Sequence, residues 1–528
     1  MSTSSTLVAA TLRAEIRTIL VWTVSICGLI ALMPSAYAYF LNEPSTNDLL
    51  AQTIGGSSAI GILYGPLPEP ATVGQMVQWE IGAFALVATA LMAVSIAGRG
   101  RTSEDSGLRE LVQAVGIPRS GVFGSQIIAP VTASAAVALT TALVIAAQVP
   151  FVDGLTVSGA VLFGLALGLN ALAYTGLTLI FGQLARDSRS ARTFGYISVA
   201  VGYAVRVGAD GADAPTLRWL TPFGWKDILS PFTHNAWQAG IPMLIACFAL
   251  LLVAWLLFDS RELHGGMLPA FDSSTARLRA NNYFVFEARM ELWRLVSWLV
   301  VVTALGALFG RLAGSLMDLL QLGGFDELME QMTGLTNPGA QYIAVCADFL
   351  GILVMFAAIQ ITIALAGSER HGYLENLLAV GLSRATILMS CLLWMIAASL
   401  LLAAAGGAAL MAASQPYFGF DQAVYALWGT LSALPGAVAA GAVTLLLFAI
   451  NRRYSAGAWI PAVWSTVVAW FGGLLRFPEW LTKLTFIGWR VDPQGSSDWA
   501  AIAVLVAVAC AASVLALIVF RRRDVGLQ

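Results

Sequence analysis

The segment Glu104-Asp-Ser-Gly107-Leu-Arg109-Glu110-Leu-Val-Gln-Ala114-Val-Gly116-Ile-Pro-Arg119 returns as Glu369-Arg-His-Gly372-Tyr-Leu-Glu375-Asn-Leu-Leu-Ala379-Val-Gly381-Leu-Ser-Arg384. Glu104, Gly107, Glu110, Ala114, Val115, Gly116 and Arg119 each find their counterpart at one interval of 265 residues (375 − 110). One constant interval over that many positions reads as a duplication, with halves at 1–265 and 266–528. Each copy is charged and lies between long apolar stretches, where a membrane chain meets a soluble partner.

Composition gives the class. The chain is 58% hydrophobic and only 11% charged, with a mean hydropathy of +0.78, as in a polytopic membrane protein. Apolar runs long enough for roughly 30 Å of hydrocarbon recur throughout. They fall at about 18–40, 78–98, 121–148, 156–184, 191–208 and 238–258, then 295–315, 342–366, 385–413, 424–450, 456–475 and 498–520. The expected fold is therefore all-α, with about twelve transmembrane helices as two sets of six.

Arginine placement orients them, because cytoplasmic loops are enriched in Lys and Arg. Arg13 and Arg17, Arg99 to Arg119, Arg186 to Arg192, Arg261 to Arg294, Arg370 and Arg384, Arg452 and Arg453, and Arg521 to Arg523 fall on one side. The opposite loops hold Glu43, Asp48 and Glu69, then Asp318, Asp326, Glu327 and Glu330. Both termini are thus expected in the cytoplasm. Ala36-Tyr37-Ala38 after the first apolar run has the look of a signal-peptide end. The similar run after Arg294 argues instead for a retained first helix.

In the repeated segment Leu108, Leu111, Val112 and Val115 follow the spacing of one helical face. Ser103 and Ser368 are expected N-caps, with Glu104 and Glu369 at the positive end of the helix and Gly116 and Gly381 as stops. In the second copy Tyr373, Leu377 and Val380 form the apolar face. Each copy predicts a short amphipathic helix on the membrane surface, a rigid lever on which a soluble subunit could push. A second matched pair, Leu220-Thr-Pro-Phe223-Gly-Trp225 and Leu484-Thr-Phe-Ile487-Gly-Trp489, lies before the last span of each half. Phe223, Trp225, Ile487 and Trp489 are candidates for membrane anchoring or an outer gate. The halves also end alike, in Phe258-Asp-Ser-Arg261 and Phe520-Arg-Arg-Arg523.

These segments resemble the membrane component of bacterial ABC exporters, in particular the fused twelve-span branch of polyketide-antibiotic or tetronasin-type exporters. The resemblance extends over nearly the whole chain, Phe223-Gly-Trp225 and the closing Arg-Arg-Arg-Asp-Val525-Gly526 included. It implies a bacterial inner-membrane permease whose coupling helices dock an ATPase. Carried onto this chain, that role falls to Glu104, Gly107, Arg109, Glu110 and Arg119 and to Glu369, Gly372, Glu375 and Arg384. Ser383 stands where the first copy has Pro118, so the halves need not couple identically.

A phosphate-binding loop needs Gly-Lys followed by Ser or Thr. The only lysines, Lys226 and Lys483, follow Trp225 and Thr482. ATP and Mg are accordingly expected in two copies of a separate ATPase, and no cofactor in this chain. The five cysteines show no CxxC spacing, and His234, His264 and His371 are scattered, so neither a metal nor an intrinsic enzyme is expected. No nucleic-acid partner is expected. Spans of Ala, Leu, Val and Gly suit a lipophilic or amphipathic substrate. Glu80, Arg206 and Asp348 are substrate-path candidates as intramembrane charges, although their positions near outer span ends favour snorkelling to water. The alternatives are an ion-gradient-driven secondary transporter of six-plus-six architecture and a membrane assembly subunit that transports nothing.

Overall fold

A computed structural model describes residues 3–41, 64–65, 72–105, 107–185, 187–212, 214–261, 282–320, 338–475, 480, 484–489 and 499–524. Glu43, Asp48, Glu69, Asp326, Glu327, Glu330, Lys483, Val525 and Gly526 lie outside these residues, as do the side chains of Ser103, Leu108, Arg109 and Asp318. The described chain is helical, without strands. Nine stretches within it are long and apolar enough to cross a membrane, which makes the architecture all-α and polytopic. Contacts divide it into two compact units, Met1–Ser273 and Ser274–Gln528.

In the first unit the helices are α1 (Thr3–Leu41), α2 (Gly82–Ala97), α3 (Arg99–Asp105), α4 (Leu108–Ala114), α5 (Arg119–Ala146), α6 (Val157–Leu184), α7 (Ser188–Gly211), α8 (Pro222–Leu229) and α9 (Gly240–Ser260). Helix α6 is the central post, packing on α2, α5, α7 and α9. Close approach to α5 depends on small residues: a Cβ on Gly164 would lie 2.3 Å from the Ala138 carbonyl oxygen, and one on Gly168 2.7 Å from the Ala138 Cβ. Between apolar helices in lipid, such contact surfaces replace the hydrophobic effect as the source of association. Buried Asn170 adds a polar tie to α2, donating to the Leu86 carbonyl at 2.8 Å and the Thr89 hydroxyl at 2.9 Å.

The second unit comprises α10 (Tyr283–Leu320), α11 (Pro338–Arg370), α12 (Tyr373–Ala379), α13 (Arg384–Ser432), α14 (Leu434–Ile450), α15 (Trp459–Leu475) and α16 (Trp499–Arg522). The apolar stretch Arg384–Ile450 has 67 residues, about 100 Å if straight at 1.5 Å per residue, more than three times the hydrocarbon thickness. It is divided at Gly419, whose φ of 74° and ψ of 168° interrupt α13. Two of the twelve expected spans thus occupy this one stretch. Two others differ from expectation. Helix α7 carries Arg192, Arg206 and Asp210 and falls outside the nine. Helix α15 has only 17 residues, about 25 Å.

Helix α10 packs closely on the first leg of α13 along Gly306, Gly310 and Gly314, a four-residue spacing that keeps one face small. A Cβ on Gly310 would lie 2.5 Å from that of Ala413 and 2.8 Å from the Leu410 carbonyl oxygen. Gly310→Leu is expected to destabilise the protein in detergent by about 1–3 kcal/mol through overpacking, read as a lowered thermal midpoint. Gly367→Ala, at a helical position with nothing within 4 Å of its added Cβ, is the control and is expected to leave the midpoint unchanged or raised.

Candidate functional site

Each copy of the repeated segment folds as a helical hairpin, but its helix begins later than the spacing predicts. Ser368 and Glu369 are the last turn of α11, and Glu104 is in α3, which continues the direction of the preceding span. The break comes at Gly107 and Gly372, with φ of 72° and 75°, a conformation glycine adopts without a Cβ penalty. Gly372 itself is the N-cap of α12, so the capping expected of Ser368 is not formed. Gly116 and Gly381, with φ of 83° and 94°, end the short helices as expected. Ser383 caps the start of α13, accepting from the Thr386 amide at 3.0 Å.

The two glutamates of each copy part company. Glu104 is 1% exposed, and its carboxylate receives Arg101 at 3.1 Å and Arg261 at 2.6 Å. Glu369, also 1% exposed, receives Arg523 at 2.5 Å. Glu110 faces solvent, and Glu375 is half-buried with one shielded carboxylate oxygen. Arg119 donates to the Asp259 carbonyl at 3.0 Å and the Arg261 carbonyl at 2.5 Å, closing the end of α9. Arg384 does the same for α16, donating to the carbonyls of Phe520 at 3.1 Å, Arg521 at 3.3 Å and Arg523. A helix C-terminus presents orphan carbonyls and partial negative charge, and a guanidinium answers both.

Arg261 and Arg523 were not singled out as site residues. Their signal was the shared ending Phe258-x-x-Arg261 and Phe520-x-x-Arg523. Both phenylalanines are buried, and the arginine one turn later reaches back to the hairpin. Arg523 also donates to the Phe448 carbonyl at 2.8 Å.

The apolar faces are divided: Val112 and Leu377 pack against their units, while the other described residues of each face turn outward. Leu111 and Val115 are 67% and 73% exposed, Tyr373 and Val380 61% and 84%; in the second hairpin Leu374 is the buried residue.

Around the first hairpin, the Asp105 carboxylate accepts the Ser188 amide at 2.8 Å, and Asp187 caps α7 by accepting the Ser190 amide at 2.9 Å. Partial burial works against the Asp187 carboxylate, but hydrogen bonds from Ser190 and Arg189 outweigh it and hold its pKa below the usual value.

The other candidates lie apart from the hairpins. Phe223 and Trp225 are buried, Phe223 between Tyr174 and Tyr203 with ring centroids 5.4 and 5.5 Å away. Ile487 is buried and Trp489 half-buried. Phe223, Trp225 and Ile487 pack inside their own units, where lipid anchoring by exposed rings does not occur. Arg206 does not snorkel: it is 2% exposed, 3.1 Å from Asp210 and 3.7 Å from Asp227. Arg218 joins Asp210 at 2.7 Å, and buried Lys226 joins Asp227 at 2.7 Å and Gln78 at 3.0 Å. Gln78 is on a π-helical turn, Val77–Ile81, that also carries Glu80, which accepts from the Tyr37 hydroxyl. Asp348 is half-buried on α11, in the other unit. The described residues contain no group of His, Cys, Asp or Glu that could hold a metal.

Residues 282–521 match the family model described as the C-terminal domain of multidrug efflux system permease Rv1217c. The chain is 25% identical over 497 residues to the multidrug efflux system permease protein Rv1217c of Mycobacterium tuberculosis (strain ATCC 25618 / H37Rv), a match covering 92% of this chain and 88% of the relative. It is similar to that permease along most of its length.

Two outcomes are expected from this geometry. Arg261→Ala, which removes one of the two guanidinium partners of the buried Glu104 carboxylate, should cost roughly 1–3 kcal/mol of stability, whereas Glu110→Arg on the surface should stay within about 0.5 kcal/mol. Thermal unfolding of the two purified variants checks the contrast. The depressed Asp187 carboxyl contributes stability above its unfolded pKa that is lost as pH falls through its lower folded value. Asp187→Ala should therefore lower the midpoint at neutral pH and flatten its decline below about pH 4.

Proposed function

We propose that this chain is the transmembrane permease subunit of an ATP-driven ABC exporter that moves lipophilic or amphipathic compounds, antibiotics and other drugs among them, out of a bacterial cell. In this reading twelve spans form two six-helix repeats in the inner membrane, with both termini cytoplasmic. Two copies of a separate ATPase, which holds ATP and Mg, dock one on each hairpin. The observation that carries the reading is the pair of hairpins. Each is set by two glycines of positive φ and braced by a buried carboxylate, and each presents apolar side chains at an exposed tip. Exposed apolar groups on a braced support are what a partner surface needs. The similarity to the Mycobacterium tuberculosis protein, named a multidrug efflux system permease, supports the export of drugs.

The ion-gradient alternative draws on the buried carboxylates Asp210 and Asp227. Asp227 is held below the ordinary carboxylate range: burial raises its pKa, but Lys226 and Arg206 outweigh that. A carboxylate already paired with cations is a poor proton carrier, and this favours the ATP-driven reading.

Val115→Asp with Val380→Asp, both at exposed positions, should leave expression and the thermal midpoint unchanged while abolishing ATPase co-purification and drug efflux. Retained co-purification and efflux in this double variant would remove the hairpin tips from the docking assignment. Efflux that collapses with a protonophore but survives ATP depletion would support the secondary transporter instead.

A further inference from the structure

Both units contain the same three-part joint. A carboxylate from the end of the second long helix, Glu104 or Glu369, binds a guanidinium at the end of the last helix, Arg261 or Arg523. An arginine at the start of the third long helix, Arg119 or Arg384, holds the terminal carbonyls of that same last helix. The two sides of each hairpin are therefore fastened to an element more than 130 residues further along the chain. No peptide connection requires this. The short helix could have been carried by its flanking spans alone, as the sequence implied.

We propose that Glu104, Arg119 and Arg261, with Glu369, Arg384 and Arg523, are positioning residues for energy coupling, and that α9 and α16, the last helices, are the elements that receive a displacement of the hairpin tips. The proposal rests on the exporter reading and adds to it the route taken inside each unit. A buried ion pair with capped carbonyls behind it resists shear better than the tip it supports, because its charges have no water to replace the partner. A push on Leu111 and Val115, or on Tyr373 and Val380, then moves the last helix rather than bending the hairpin.

The joints also differ. Glu104 neutralises two buried arginines, Arg101 and Arg261, and the adjoining Asp105 ties the first hairpin to the start of α7. Glu369 pairs with Arg523, with Arg452 a further cation acting on it, and Arg523 keeps a second bond, to the Phe448 carbonyl at the end of α14.

The test uses the full chain with its co-purified ATPase in liposomes, measuring ATP hydrolysis and transport of a lipophilic dye such as Hoechst 33342 together. Glu104→Gln should leave ATPase binding intact and lower transport per ATP hydrolysed about tenfold, and Glu369→Gln should lower it likewise. The conservative variant Glu104→Asp, which keeps a carboxylate beside Arg101 and Arg261, should restore much of the ratio and guards against a Gln variant that fails to fold. A purely structural brace would lower the thermal midpoint and leave transport per ATP unchanged in every folded variant, which overturns the proposal. Wild-type protein that recruits no ATPase would overturn the exporter reading itself, and the positioning role with it.

Discussion

A carboxylate withdrawn from water must be answered by charge, and much of the organisation at the hairpins follows from how Glu104 and Glu369 are answered. Their partners, Arg261 and Arg523, come from the far end of each unit, so satisfying one group brings three helices to a common point. Beyond the glycine turn the short helix packs Val112 or Leu377 against its unit and leaves Leu111 and Val115, or Tyr373 and Val380, exposed.

Within the apolar body a different rule governs. Helices in lipid gain little by hiding hydrophobic side chains from one another, so their association depends on close van der Waals contact and a few internal hydrogen bonds. Gly164 and Gly168 in the first unit, and Gly306, Gly310 and Gly314 in the second, permit backbones to approach where a single methyl would collide. These seams hold the posts to which the charged joints are fastened. The first unit adds a buried ionic cluster, Arg206, Asp210, Arg218, Lys226 and Asp227, that ties the segment before its last helix to α7 and, through Gln78, to the π-helical turn ahead of α2.

Much of the site was legible from one sequence because the chain states it twice. The interval between copies pointed to Glu104, Arg119, Glu369 and Arg384, all of which make defined contacts in the structure. It could not separate Glu104 from Glu110. Both are repeated glutamates, six residues apart, yet one is buried and the other exposed, a difference created by the turn at Gly107. Helical periodicity likewise found the apolar residues of the tip and assigned them to the inner face, since spacing identifies a face without saying what lies against it. Arg206, read as a residue reaching for water, is enclosed because Asp210 and Asp227 meet it inside the unit. Asp210 stands four residues on from Arg206 along α7, a pairing that helical spacing offers, whereas Asp227 lies on another helix and is brought in by the fold.

The sequence by itself determined the all-α polytopic class and the glycines, Gly116 and Gly381, that end the short helices, because hydrocarbon thickness and the cost of positive φ act on residues locally. Only the tertiary structure decided which charges are inside. Pairing Glu104 with Arg261 or Glu369 with Arg523 spans more than 150 residues, and such a pair forms when helix packing brings the ends together, not through anything in the intervening chain. Local energetics selects the elements; burial, which is a property of the assembled unit, assigns their faces.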